Sequence, residues 1–503
     1  MKLHRPPFRA LSRCNHSPSA AFATRTTKPR QLSLCATQRR PASLFRASSC
    51  SFSRGYASIS AADLQFGQPV YETHPHILRA GELTPGITAQ EYADRRAALA
   101  HSLTDGSIAI LHAAPLAYKS GAVFHPYRQE SNFLYLTGWN EPEAVAVIRK
   151  TGPNLGDYLF TMFVKGKDPR EEQWNGYRNG VQAAEDIFNA DEAYSIDSVE
   201  SMMPKILETA RLVYTDTSQN SPARGLMGFL NGKMSRPNKT PLYSIMNKLR
   251  VIKSEAEVTN MRLAGQISGR AITEAMRQPW QREKDLHAFL DYEFTRNGCD
   301  GPAYIPVIAG GQRANCIHYT VNNQTLDSDE FVLIDAGGEY GTYITDISRT
   351  WPVSGKFTAA QKDLYTAVLN VQRTSVALCR ASANTSLEEI HNVTVRGLVD
   401  QLKAIGFDSI SMSNIGELFP HHVGHYIGLD VHDCPGFSRR EKLVKGHCVT
   451  IEPGVYVPDD VKWPAHFRGM GVRIEDSVCV DEDSPYVLSV EAVKEVDDIE
   501  ARR

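Results

Sequence analysis

Between Phe331 and Thr350 the chain reads FVLIDAGGEYGTYITDISRT, an apolar run, a turn-rich middle and a second extended run. Phe331 to Ile334 is apolar and delivers Asp335 at its end; after Gly337, Gly338 and Gly341 the second run delivers Asp346. This alternation predicts an antiparallel hairpin. A turn between Tyr340 and Gly341 would set positions 335 and 346 opposite each other, with Cβ atoms roughly 5 Å apart on one face. Two carboxylates that close repel unless a proton or a cation lies between them. The hairpin marks a candidate metal site, and a solvated acid at the turn edge fits the same pattern.

The remaining pattern divides the chain. Glu91–Leu103 is predicted helical, and Ser107–Leu111 and Val145–Val147 are predicted strands. Asn132-Phe133-Leu134-Tyr135-Leu136 alternates in a way that predicts a strand packed on one face. The polar stretch Asn231–Thr240 reads as a linker or loop. Beyond it, Lys253–Met276 carries Val258, Met261, Ala264, Ile267 and Ala271 at helical intervals, and Trp280–Arg296 repeats this with Leu286, Phe289, Leu290 and Phe294. Thr358–Gln361 and Ser386–Glu389 are capping-box openings of two further helices, the second stopping at Gly406. Strands are predicted again over Val449–Glu452 and Val472–Val480. Helices around a mostly antiparallel sheet make an α+β domain, preceded here by a smaller α/β domain. The expected division is residues 1–56, 57–241 and 242–503.

Composition changes the picture at one end. The first 62 residues contain no Asp or Glu, and the first 56 hold eleven Lys or Arg among many Ser, Ala and Pro. An arginine-rich, serine-rich, acid-free leader is the signature of a mitochondrial transit peptide, with a nucleic-acid-binding basic arm as the other reading. Without residues 1–56 the net charge moves from −2 to −13, with 44 basic against 57 acidic side chains. So acidic a mature chain counts against a nucleic-acid partner. No apolar run approaches the roughly 20 residues of a membrane helix. Nine cysteines without a CxxC pair argue for a reducing compartment, against a zinc ribbon or disulfide framework.

Three more stretches carry candidate chemistry. Phe419–Asp433, FPHHVGHYIGLDVHD, holds His421, His422, His425 and His432, a density that points to ligands or proton transfer. Thr450-Ile451-Glu452-Pro453-Gly454 places a carboxylate at a strand end before a turn. In Arg473-Ile474-Glu475-Asp476 a glutamate in a buried strand needs a partner or a metal.

Taken together, DAGGEY with Asp335, TDISRT with Asp346, HHVGH with His425, IEPG with Glu452 and RIED with Glu475 resemble, in order and spacing, the dinuclear metallopeptidases of the aminopeptidase P and prolidase group. Tyr127-Arg128-Gln129 and Tyr135-Leu136-Thr137-Gly138 resemble the N-terminal domain of aminopeptidase P. The resemblance implies a pita-bread catalytic fold and two metal ions, usually Mn²⁺. Asp335 would chelate one ion, Asp346 and Glu475 would bridge both, and His425 and Glu452 would complete the other shell. Carboxylates with a single imidazole suit a hard ion. Two ions roughly 3.5–4 Å apart can hold a bridging water as hydroxide near neutral pH, to attack the first peptide bond. Glu452 would shuttle the proton to the leaving amine. His318 and His432 match substrate-side histidines that would bind the developing oxyanion or the leaving nitrogen. His421 matches a further pocket histidine, and Arg473 would orient a bridging carboxylate. His422 stands where many relatives have glycine and is given no role. Cys316 and Cys434 flank these histidines, but a thiol nucleophile would not need five such ligands.

The expected function is removal of one N-terminal residue from peptides or imported proteins, ahead of proline or as a bulky residue left by earlier processing. A prolidase restricted to dipeptides and an inactive binding module are the alternatives. The expected address is the mitochondrion, matrix or inner-membrane-associated, and the resemblance implies a homo-oligomer. Arg54-Gly55-Tyr56-Ala57 itself fits the bulky-residue pattern, so the enzyme would trim its own precursor. Mass spectrometry of the mature chain is expected to find Ala57 at the N-terminus; Tyr56 persisting in an active preparation would overturn self-trimming.

Overall fold

A computed structural model describes residues 65–216 and 238–503. The expected leader and residues 231–237 of the expected linker lie outside the described residues.

The first half is built on a six-stranded sheet. Its strands run in the order Asn238–Thr240, Leu212–Tyr214, Ser107–His112, Val145–Lys150, Tyr158–Val164, Glu192–Ser195. Ser107–His112, Val145–Lys150 and Tyr158–Val164 are antiparallel neighbours; the outer pairings are parallel. Asn238–Thr240, expected within the linker, is thus an edge strand. One face of the sheet packs Ile108, Ile110, Val145 and Val147 on the Val199–Glu208 helix. The other packs Ala109, Ala146, Ile148 and Phe160 with the Ala89–Ser102 helix, and this core runs on without a break into Tyr343, Ile344, Ile427 and Leu429 of the second half.

One expected strand is a helix. Ser131–Thr137 is α-helical, capped by Glu130, whose carboxylate accepts from the backbone N–H of Asn132 and Phe133. It is closed by Gly138 at φ 68°. Phe133, Leu134, Tyr135 and Leu136 are all buried, so the segment has no solvent face to impose a helical period, and its aromatic alternation misleads.

The second half pairs helices with small antiparallel sheets. Glu255–Ala275 packs on Glu283–Arg296, and Ala359–Ala377 on Leu387–Ala404. Capping boxes open three of the four: Ser254 with Glu257, Thr358 with Gln361, and Ser386 with Glu389. One sheet orders Val307–Gly310, Phe331–Asp335 and Ser348–Pro352; another orders Cys448–Ile451, Asp476–Val480 and Pro485–Val487. The architecture is α+β, with several small sheets in place of the single one expected. The long strand expected over Val472–Val480 is two, Gly471–Arg473 and Asp476–Val480, which join different sheets and break at Ile474-Glu475. Among the described residues no helix is long and apolar enough to cross a membrane.

The hairpin turns one position later than expected. Tyr340 pairs with Tyr343 and Glu339 with Ile344, around Gly341 at φ 54° and Thr342 at φ 71°. Two consecutive positive φ values form a type I′ turn, whose twist matches that of the strands. Asp335 therefore pairs with Ser348, and Asp346 lies diagonally from it. The slip of two in register keeps both acids on one face.

An ionic cluster of the second half abuts the first, where Arg250 NH1 donates to Asn132 Oδ1 at 2.7 Å. Lys253 Nζ donates to Asp433 Oδ2 at 2.8 Å, with both side chains about 1% exposed, and Arg250 donates to Asp433 Oδ1 and, at 2.7 Å, to Asp430 Oδ2. Burial works against a charged Asp433, but Lys253 and Arg250 outweigh it and hold its carboxyl at about 2. An unfolded aspartate titrates near about 3.9. The folded value is depressed, so the cluster's contribution is full above about pH 4 and is lost as pH falls to about 2. Lys253→Ala, which strands a buried charge, is expected to lower the unfolding free energy by about 3–5 kcal/mol at neutral pH. The deficit should narrow below pH 4 in urea unfolding curves.

Candidate metal centre

Strand ends and their flanks deliver four acids, and a loop one imidazole, to a single place. Asp335 ends the Phe331–Asp335 strand, and Asp346 precedes Ser348–Pro352 by two residues. Glu452 directly follows Cys448–Ile451, its N–H bonded to Val423 O at 2.7 Å. Glu475 sits at the strand break, its N–H bonded to Ser348 O at 3.0 Å. His425 lies on a loop laid along the Cys448–Ile451 strand, where its backbone exchanges bonds with Thr450 at 2.8 and 3.1 Å. Gly424 allows this approach, since a Cβ there would lie 1.9 Å from Thr450 O.

One ligand atom each from Asp346, His425 and Glu475 lie within 4.8 Å of one another. His425 Nε2 is 3.5 Å from Asp346 Oδ2 and 3.7 Å from Glu452 Oε1. Asp335 joins through Tyr304, whose hydroxyl lies 2.8 Å from Asp335 Oδ1 and 2.5 Å from Asp346 Oδ1. His425 Nδ1 donates to Tyr426 O at 3.0 Å, which turns Nε2 toward the acids.

The electrostatics fit a cation. Burial first, then repulsion from Asp346, pushes Asp335 up to about 6. Burial raises Glu452 to about 7, and burial with its three acidic neighbours drives Glu475 well above the carboxylate range. Burial would also raise Asp346, but its bond to His425 outweighs this and leaves it below its ordinary value. Burial would lower His425, yet Asp346 and Glu452 lift it to about 9. Fully ionised, the four acids would carry more negative charge than His425 and Arg473 answer. A hard divalent ion or pair of ions suits that oxygen-rich donor set.

Arg473, expected to orient a bridging carboxylate, instead bonds directly to Asp335, the acid expected to serve one ion. Its NH2 donates to Asp335 Oδ2 at 2.7 Å, its Nε to Ser348 Oγ at 2.8 Å and its NH1 to Tyr456 OH at 2.8 Å. It reaches Glu475 only through Ser348, whose hydroxyl donates to Glu475 Oε2 at 2.6 Å. Because Tyr456 OH accepts from Arg473, it donates to His421 Nε2 at 2.9 Å; His421 Nδ1 donates to His422 O. Burial and Arg473 keep His421 neutral, down at about 4, with Nδ1 3.7 Å from Glu452 Oε2.

The outer histidines separate. The His432 ring meets His425 edge to face at 4.4 Å, and burial and the His425 charge lower its pKa. His318 is exposed on the segment after Gly311–Asn315, near enough to His432 to disfavour its protonation. His422 instead stacks on His391 at 4.4 Å. Cys434 is buried beside Asp433, and burial pushes its thiol up to about 12, which removes it as a thiolate nucleophile.

Two supporting residues were not read from the sequence. Tyr304, in Gly-Pro-Ala-Tyr, carries no pattern. Glu283 opens a helix like any first-turn acid, yet its buried carboxylate accepts from Arg313 Nε, Tyr319 OH and Gln324 N at 2.7–2.9 Å and from Gly310 N at 3.2 Å, fixing both ends of the segment that bears His318. Ser348 was inside the TDISRT motif but was given no role. Tyr304→Phe is expected to weaken divalent-ion affinity about 10–100-fold, as outer partners of ligands do. Metal retained after graded chelation, measured by elemental analysis, checks this.

Residues 259–482 match the profile of metallopeptidase family M24, and residues 92–214 that of the aminopeptidase P N-terminal domain. Intermediate cleaving peptidase 55 of Saccharomyces cerevisiae is 46% identical over 451 residues, spanning 87% of this chain and 88% of that protein. Its crystal structure, lacking 58 N-terminal residues, superposes with a TM-score of 0.79 at 44% identity, covering 84% of this chain and 98% of the other. Human Xaa-Pro aminopeptidase 3 is 40% identical over 462 residues, 86% of this chain and 90% of that protein. With the pita-bread fold, the acid and imidazole cluster and these likenesses, the chain belongs to the aminopeptidase P branch of the M24 metallopeptidases.

Proposed function

We propose that this metalloaminopeptidase, which removes a single N-terminal residue, works with Mn²⁺ held by Asp335, Asp346, His425, Glu452 and Glu475, Asp346 and Glu475 being shared between two ions. The observation that carries the reading is the convergence of Asp346, His425 and Glu475 within 4.8 Å, with Glu452 against the same imidazole. When bound, such a pair supplies an acidified water and polarises the scissile carbonyl.

The chain's own groups do the rest. Glu452 lies between His421 and His425, placed to take the proton of the attacking water and pass it to the departing amine. His421 stays neutral behind it, tied to Arg473 through Tyr456, and steadies that carboxylate. His318 and His432 stand on the open side and donate to the carbonyl oxygen as charge develops, or to the leaving nitrogen. Arg473 offsets the charge of Asp335 and fixes its orientation.

The substrates of this reading are peptides or imported proteins whose first residue precedes proline or is bulky. The name of human Xaa-Pro aminopeptidase 3 supports release ahead of proline, and that of intermediate cleaving peptidase 55 supports action on processing intermediates. The basic, acid-free first 56 residues support import into the matrix or to the inner membrane. The proposed division remains residues 1–56, 57–241 and 242–503, and both profile matches fall inside the last two.

The test is the mature enzyme with Mn²⁺ and a peptide panel varied at positions one and two. Single-residue release is expected from longer peptides, with Asp346→Ala losing metal and activity together. Cleavage confined to dipeptides, or full activity after chelation, would overturn it. His318→Ala is expected to lower kcat about 10²–10³-fold, the cost of losing one donor to a developing oxyanion.

A further inference from the structure

We propose that the position of His432 is set by a clamp on the two acids that flank it, Asp430 and Asp433, made by the ion pairs of Arg250 and Lys253 and steadied from the N-terminal domain by Ser131 and Asn132. The inference rests on the reading of His432 as a substrate-side group.

His432 lies on a short arch between the two acids, with little regular structure of its own. What fixes the arch comes largely from elsewhere in the chain. At one end Ser131, the first residue of its helix in the N-terminal domain, donates to Asp430 Oδ1 at 2.6 Å. Arg250 donates to the other oxygen of Asp430 at 2.7 Å. The same guanidinium donates through NH1 to Asn132 Oδ1 at 2.7 Å, so it is itself oriented by that domain. At the other end Arg250 and Lys253 share the carboxylate of Asp433, whose backbone N–H bonds to Tyr426 O at 2.8 Å. Arg128 donates to the carbonyl of Leu429, just before the arch.

Both ends of the arch are therefore held from far along the chain, by charged groups about 180 positions away and, at Asp430, by a hydroxyl about 300 positions away. The ring between them is left no partner among these bonds and faces His425. Such a frame is what a donor needs to meet a developing charge without rearrangement, since small misplacements of a reacting group cost large factors in rate. Ser131, Asn132 and Arg250 are thus positioning residues, acting through His432 rather than on substrate.

A double-mutant cycle tests this on the metal-loaded full enzyme with one peptide substrate. Ser131→Ala and Asp430→Asn are each expected to lower kcat about tenfold with KM little changed. In a His432→Ala background the same substitutions are expected to change kcat less than twofold, because the group they position is gone. Metal content and thermal midpoint are measured alongside; Ser131→Ala is the milder variant and serves alone if Asp430→Asn does not fold. Tenfold losses that persist in the His432→Ala background would overturn the clamp while leaving the role of His432 standing. A His432→Ala enzyme with unchanged kcat would overturn the reading of His432, and the clamp with it.

Discussion

Everything in the second half is arranged around an electrostatic problem, four carboxylates brought face to face out of water. Charges of one sign at such distances in a low-dielectric surrounding cannot all remain unless something positive stands among them. The protein answers part of the charge with Arg473 and with His425, and both are tied down at their other donors. The remainder is an invitation to a hard cation. A fold that had no use for such an ion would have little reason to keep Glu475 at 2% exposure among three other acids.

The acids cannot drift apart to relieve this, because each is fixed by main chain. Glu475 lies where one strand stops and the next begins in a different sheet, so its position is set by two ladders at once. Arg349, fully buried, donates to the carbonyls of Ser348 and Glu475 and to Asp476 and thereby ties the Ser348–Pro352 strand to the Asp476–Val480 strand behind the acids. Stability given up at the site is recovered in this apolar and ionic backing.

Much of this could be read from the chain. The capping boxes at Thr358 and Ser386 predicted helix starts that the structure shows, because the signal is local and chemical. The ordered acids and histidine stood in short motifs at strand ends, where spacing alone is informative. The Ser131–Thr137 helix was misread because both its faces are buried and its cap is a glutamate, which leaves neither a period nor a familiar opening residue. The hairpin register slipped because the turn takes positive φ at Thr342, a residue type that gives no warning of it. Tyr304 and Glu283 were invisible for a different reason. Their partners lie 27 to 42 positions away, Arg313 and Asp335 among them, and no one-dimensional pattern records such meetings.

The contact between Gly424 and Thr450 also bears on how the centre tolerates different ions. The histidine that follows is riveted by its own main chain, with no slack on either side, so its nitrogen stays put whatever occupies the space before it. Accommodation of a larger or smaller radius would fall to Glu452, whose carboxylate meets its two imidazole neighbours only at 3.7 Å while the other three acids are hydrogen-bonded. The imidazole would be the fixed post of the site, and Glu452 its adjustable arm.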